Sequence, residues 1–179
     1  MNRYSTMILA ATIAGAGLLQ AQDNPLSGGI KFVYGIAKGD IIKSAEKMPE
    51  SNYSFKPSPD VRSFGQILGH VADAEYAFCG AVAGESKQMN IEKTKTSKEE
   101  LTAAVRDAFA YCDGVYNSLT DATAADMIKF FGQSSTKLGV LAFNNAHTFE
   151  HYGNLVTYMR IKGIVPPSSE PPPAKKSSN

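Results

Sequence analysis

Four stretches of this chain place apolar residues at helical spacing, and no stretch shows the two-residue alternation of a half-buried strand; that pattern restricts the fold to a helical bundle. The first stretch follows Asn24-Pro25, an N-cap residue with Pro at the first helical position. Ile30, Val33, Tyr34, Ala37, Ile41, Ile42 and Ala45 then recur on one face until Pro49. The second opens with Ser63 and Gln66, a capping box, and carries Phe64, Ile67, Val71, Ala74, Phe78 and Val82 before Gly84. A capping box at Ser97 and Glu100 starts the third, whose stripe is Leu101, Ala104, Val105, Ala108, Phe109, Cys112, Val115, Tyr116 and Leu119. The fourth runs from Ser135 or Thr136 to Lys162, with Gly163 as the residue that stops it.

Between these segments the chain reads as loops. Residues 50–61 hold Pro57 and Pro59, with Tyr53 and Phe55 as pins to the core. Residues 85–96 are polar and lysine-rich. Met127, Ile128, Phe130 and Phe131 suit a short extended piece covering one end of the bundle. Gly35 and Gly39 each weaken the first helix by roughly 1 kcal/mol relative to Ala. Such a cost is ordinarily offset by close approach of another backbone, so packing is expected there.

The two ends fall outside the bundle. Arg3, the apolar run Met7–Leu19 and the small residue Ala21 have the layout of a secretory signal peptide, residues 1–21, and the run is too short to span a bilayer. The expected location is therefore periplasmic or secreted. Its removal takes Arg3 and leaves 17 basic and 17 acidic residues. A neutral chain lacks the basic footprint of a nucleic-acid binder, and no other segment is long enough to anchor in a membrane. The domain is expected over 22–165, followed by a Pro/Ser/Lys-rich tail, 166–179, that cannot pack.

The chain has only three histidines, and each borders a helix core face. His147 and His151 are four apart, which sets them on one face about 40° apart in projection and roughly 6 Å apart along the axis. His70 lies on the second helix, one turn after Gln66 and Ile67. One imidazole in a bundle is more often a satisfied polar group than a ligand. Three neutral imidazoles together suit a divalent transition metal and leave a coordination position open. Zinc, nickel, copper and iron fit equally. Glu150 is a candidate base or a partner orienting an imidazole, and Asn144 and Asn154 lie near the same face. Tyr152 and Tyr158 are expected to pack.

Phe64-Gly-Gln-Ile-Leu-Gly-His70 and His147-Thr-Phe-Glu-His151-Tyr-Gly-Asn-Leu-Val-Thr-Tyr-Met-Arg160, followed by Gly163-Ile-Val-Pro-Pro167, resemble the two signature blocks of the DinB/YfiT-like family. The resemblance covers residues 25–167. It implies an all-α four-helix bundle in up-down-down-up order and a metal held by His70, His147 and His151. It also implies a homodimer and metal-dependent hydrolysis or thiol transfer on a small molecule. The export signal departs from familiar members and points away from thiol transfer, because low-molecular-weight thiols are mainly cytoplasmic.

Other readings are weaker. Residues 147–151 match H-x-x-E-H, an inverzincin motif with Glu150 as base, but that site needs a further ligand downstream and only 28 residues follow His151. Gly28-Gly29 lacks the strand context of a phosphate-binding loop. Cys79 and Cys112 would be level, and able to bridge, if the second and third helices ran parallel; two buried free thiols are the slightly favoured alternative. Two functions remain: an exported metal-dependent hydrolase or group transferase, or a non-catalytic module for binding a metal or small ligand.

Overall fold

The computed structural model describes residues 24–171. The expected signal peptide and the tail from 172 onward lie outside the described residues. Four long helices form the bundle: α1 (Pro25–Lys47), α2 (Phe64–Ala83), α4 (Lys98–Ser118) and α6 (Lys137–Ile161). Two short helices, α3 (Ile91–Thr94) and α5 (Asp121–Ala124), interrupt the connections. The caps of α2, α4 and α6 lie where the sequence places them, with only the Ser97 half of the expected Ser97–Glu100 box formed. Ser63 and Gln66 close a reciprocal capping box on α2, and the Ser97 and Thr136 hydroxyls accept from the N–H groups of Glu100 and Gly139. Gly84 and Gly163 adopt left-handed φ of 78° and 71°, which ends α2 and the turn after α6.

The start of α1 is capped differently from expectation. Asn24 holds the N-cap position, but the Asp121 carboxylate of α5 accepts from Leu26 N and Ser27 N instead. Asn24 in turn accepts from Asp121 N. The two ends cap each other.

Tertiary contacts give the helix directions. Leu101 at the start of α4 lies against Gly65 at the start of α2, and Cys79 and Cys112 meet near the ends of both helices. These two helices are therefore parallel. Tyr116 near the end of α4 donates to Leu141 O at the start of α6, and Tyr158 near the end of α6 donates to Arg62 O just before α2. Lys98 at the start of α4 donates to Met48 O just past α1. The order is up-down-down-up.

The core is mainly apolar, with Phe64, Leu68, Phe109, Leu141, Leu155 and Met159 fully buried. Each such side chain contributes roughly 1.5–3 kcal/mol by leaving water. Cys79 and Cys112 form a disulfide with Cα atoms 5.5 Å apart; the favoured expectation of free thiols is corrected, because parallel helices bring the two residues level.

Three further expectations are modified. Met127–Phe130 is extended as expected, but it pairs antiparallel with Gln133–Thr136 as a hairpin, β1 and β2. Phe131 and Gly132 make its two-residue turn, with φ of 49° and 77°. Gly35 and Gly39 meet no other backbone: nothing lies within 4 Å of where a Cβ would stand. They face outward beside the exposed side chains of Phe32 and Ile36. Finally, residues 166–171 are folded rather than part of an unpacked tail. Pro166 is buried, 167–169 form a 3₁₀ turn, and Tyr152 Oη donates to Ser168 Oγ at 2.8 Å.

Candidate metal centre

The three imidazoles converge. His70 Nε2 lies 3.2 Å from His147 Nε2, which lies 3.1 Å from His151 Nε2. All three nitrogens fall within a single group that could hold a metal ion. The helix directions explain the convergence. Antiparallel α2 and α6 bring residue 70 level with residues 147–151, and the four-residue spacing points both α6 rings at α2.

The spacing fits a shared cation. With Zn–N bonds of about 2.0–2.1 Å, two imidazoles on one ion sit roughly 2.9–3.4 Å apart, from a right-angle edge to a tetrahedral one. The donor set fits at His70, whereas His147 Nδ1 and His151 Nδ1 are buried with no hydrogen-bond partner among the described residues. His70 Nδ1 faces Glu92 Oε2 at 3.2 Å; with the carboxylate accepting, Nδ1 carries the proton and Nε2 presents a lone pair to the centre. One N–H from a neighbouring ring can satisfy a single nitrogen contact, whereas a cation satisfies all three.

Burial keeps the rings neutral. It pushes the His147 and His151 pKa values down to about 4, reinforced by the neighbouring imidazoles and by Arg62. His70 is also held below the ordinary histidine value, first by burial and then by Arg62, against the opposing pull of Glu92. Phe78 closes one side, its ring edge-on to His147 with centroids 5.3 Å apart, and Phe143, Phe130 and Phe131 continue that apolar wall. Neutral, partly desolvated imidazoles are the form that binds a transition metal.

Glu92 is the site residue that sequence reasoning missed. It lies on α3, within the 85–96 stretch read as loop. Two features of α2 and a residue just before it hold it in place. The Asp73 carboxylate accepts from Ile91 N and Glu92 N at 2.8 and 3.0 Å, capping α3 from a separate helix. Gly69, one residue before His70, has no side chain to obstruct: a Cβ there would stand 2.6 Å from Glu92 Cα and 2.9 Å from Glu92 N. Arg62 Nε donates to the other Glu92 oxygen at 2.9 Å. Local periodicity could not reveal these contacts, although a glycine and a capping acid flanking a histidine are a usable signal.

The other predicted residues separate by position. Glu150 and Asn154 line a cleft that opens beside His151, together with Lys56, Arg62 and Gln66. Among the described residues no hydrogen bond joins Glu150 to an imidazole; the contact expected of it is made by Glu92. Asn144 lies elsewhere. It donates to the fully buried Glu75, which also accepts from Thr148, and the Tyr116 hydroxyl lies 3.3 Å from the same amide nitrogen. Burial lifts the Glu75 pKa to about 7, against the lowering effect of those two donors. Tyr152 and Tyr158 pack, as expected.

The fold is thus a four-helix bundle carrying a three-histidine group that could hold a metal ion. The chain belongs to the DinB superfamily, which matches residues 37–155. A curated relative, the uncharacterized protein YjoA of Bacillus subtilis (strain 168), is 22% identical over 122 residues, 66% of this chain and 79% of that protein. The YjoA crystal structure superposes with a TM-score of 0.63, covering 75% of this chain and 92% of YjoA. A DinB-like protein from Bacillus cereus ATCC 10987 superposes with a TM-score of 0.69 at 17% identity, covering 78% of this chain and 95% of that one. A variant of mycothiol-dependent maleylpyruvate isomerase shares the fold at 12% identity and a TM-score of 0.62, covering 73% of this chain and 60% of the isomerase.

Proposed function

We propose that this protein is an exported, metal-dependent hydrolase or group transferase acting on a small molecule, with His70, His147 and His151 as its metal ligands. The observation that carries the reading is the approach of three imidazole nitrogens to 3.1 and 3.2 Å beside an open cleft. A divalent transition ion held there supplies Lewis acidity to a bound substrate. The chain's own residues do the rest. Glu92 fixes the His70 tautomer, Phe78 and Phe143 pack against the His147 ring, and the cleft beside His151 admits the substrate. Glu150, on the cleft wall, is the carboxylate positioned to take or give a proton. The isomerase among the structural neighbours supports small-molecule chemistry on this fold, while the signal-like residues 1–21 favour a substrate other than a cytoplasmic thiol.

A non-catalytic binding module is the second reading, favoured by the absence, among the described residues, of an acid–base group hydrogen-bonded at the centre other than Glu92, which is already engaged. Elemental analysis of protein purified without a His-tag tests the centre. Wild type is expected to carry about one equivalent of metal, and His147→Ala and His70→Ala to lose it. Equal metal content in all three refutes the ligand assignment. Loss of turnover in Glu150→Gln with metal retained separates the enzyme from the module.

A further inference from the structure

The connection from α2 to α4 returns the chain along the bundle, because parallel neighbours cannot be joined by a tight turn. On that return it carries Lys93 and Lys95 past the start of α2, where the 53–63 loop presents Lys56. The three lysines and Arg62 line a second cleft of about 720 Å³, with Ser54 and Thr96 as polar neighbours. Lys56, Arg62, Gln66 and Glu92 line both this cleft and the one beside His151, so the two adjoin.

The charge balance of the second cleft is one-sided. Its single carboxylate is Glu92, and both Glu92 oxygens are engaged, one by Arg62 Nε and one by His70 Nδ1. Among the described residues no carboxylate forms an ion pair with Lys56, Lys93 or Lys95. Arg62 spends only Nε on Glu92. Like charges gathered along a concave surface focus a positive potential that an anion relieves.

We infer that this lysine-lined cleft is a subsite for an anionic group, a phosphate or a carboxylate, on the substrate whose reacting end lies at the histidine centre. The inference rests on the metal-centre reading and adds the substrate's chemical class. Arg62 stands at the junction, where it can reach the anionic group while its Glu92 partner holds His70.

The test uses the full mature chain in its metal-loaded form. Binding of glycerol phosphate, succinate and neutral glycerol is followed by calorimetry in wild type and in the triple variant Lys56→Gln, Lys93→Gln, Lys95→Gln. Metal content is measured in the same samples. Wild type is expected to bind at least one of the two anions and not glycerol, and the tighter anion identifies the group. The triple variant is expected to bind it about tenfold more weakly, the combined effect of three exposed charges, with metal content unchanged. Binding of neither anion, or equal binding by wild type and variant, overturns the subsite. Wild-type protein that holds no metal overturns the underlying centre instead. A salt series on wild type gives an independent check. Affinity should fall as ionic strength rises from about 0.01 M to about 0.15 M, where the screening length drops from roughly 30 Å to 8 Å; a flat series also overturns the proposal.

Discussion

Replacing one glycine by alanine at two places should move stability in opposite directions. At Gly69 the new Cβ would stand 2.6 Å from Glu92 Cα, where carbon atoms prefer about 3.5–4.0 Å. The α3 backbone would have to retreat by about 1 Å. Overpacking costs about 1–3 kcal/mol, with the upper part of that range, about 2–3 kcal/mol, applying where the obstacle is backbone, set against about 1 kcal/mol gained from better helix propensity. The expected net loss is about 1–2 kcal/mol, a fall in Tm of about 2–8 °C for a domain of this size. The same retreat would carry Glu92 Oε2 beyond hydrogen-bond range of His70 Nδ1, now 3.2 Å away. Loss of such a partner weakens metal binding by about 10- to 100-fold. At Gly35 nothing lies within 4 Å of the new atom, so Gly35→Ala keeps only the propensity gain of up to about 1 kcal/mol. Thermal unfolding of the metal-free proteins and competition with a chromophoric chelator for the loaded ones measure both quantities. Glu92→Gln, which leaves the packing intact, should reproduce the affinity loss without the Tm loss. If Gly69→Ala matches Gly35→Ala in both readouts, the steric account of how α3 reaches His70 is wrong.

Two other perturbations probe the core below the centre. Burial raises Glu75 to about 7 from an ordinary 4.5, so its contribution is fully present below about pH 4.5 and is lost as pH rises through 7, by at most about 3 kcal/mol. Urea unfolding at several pH values should therefore show the gap between wild type and Glu75→Gln shifting against wild type over that window; a constant gap contradicts the assignment. Cys79 and Cys112 are separated by 33 residues in sequence, so the double Cys→Ala variant should lose about 3–4 kcal/mol, the loop-entropy value for that span. A thiol assay on unfolded, unreduced wild type that finds two free thiols would contradict the bridge.

Much of the architecture was legible because its signals are local. The apolar stripes of α2 and α4 are buried along their whole length, and the Ser63–Gln66 box, the Thr136 cap and Gly163 stand where spacing puts them. The three histidines were legible for a related reason: two share a helix face, and the third borders a stripe on the helix facing it. What escaped notice depends on contacts distant in sequence. Helix α3 has four residues and is capped from α2 by Asp73, so no window centred on it carries a helical pattern. Gln133–Thr136 has no apolar alternation and is a strand only because Met127–Phe130 lies beside it. Spacing alone left the cysteine pair undecided, since the answer turned on whether α2 and α4 run the same way. Glu75 shows the opposite case. A carboxylate four residues after Val71 and four before Cys79, on a buried face, was a visible anomaly whose partners, Asn144 and Thr148, came from another helix.

The parallel pairing of α2 and α4 has a consequence for how this chain can change over generations. In an antiparallel bundle the link between neighbours is a short hairpin, and residues can be added or deleted there at little cost. Here the segment from 84 to 97 must span the length of the domain, and midway it delivers the carboxylate that steadies His70 and two of the cleft's lysines. A connector that topology already obliges to be long has become part of the pocket wall. Under the proposed subsite, reshaping this stretch alters ligand preference without touching a bundle helix.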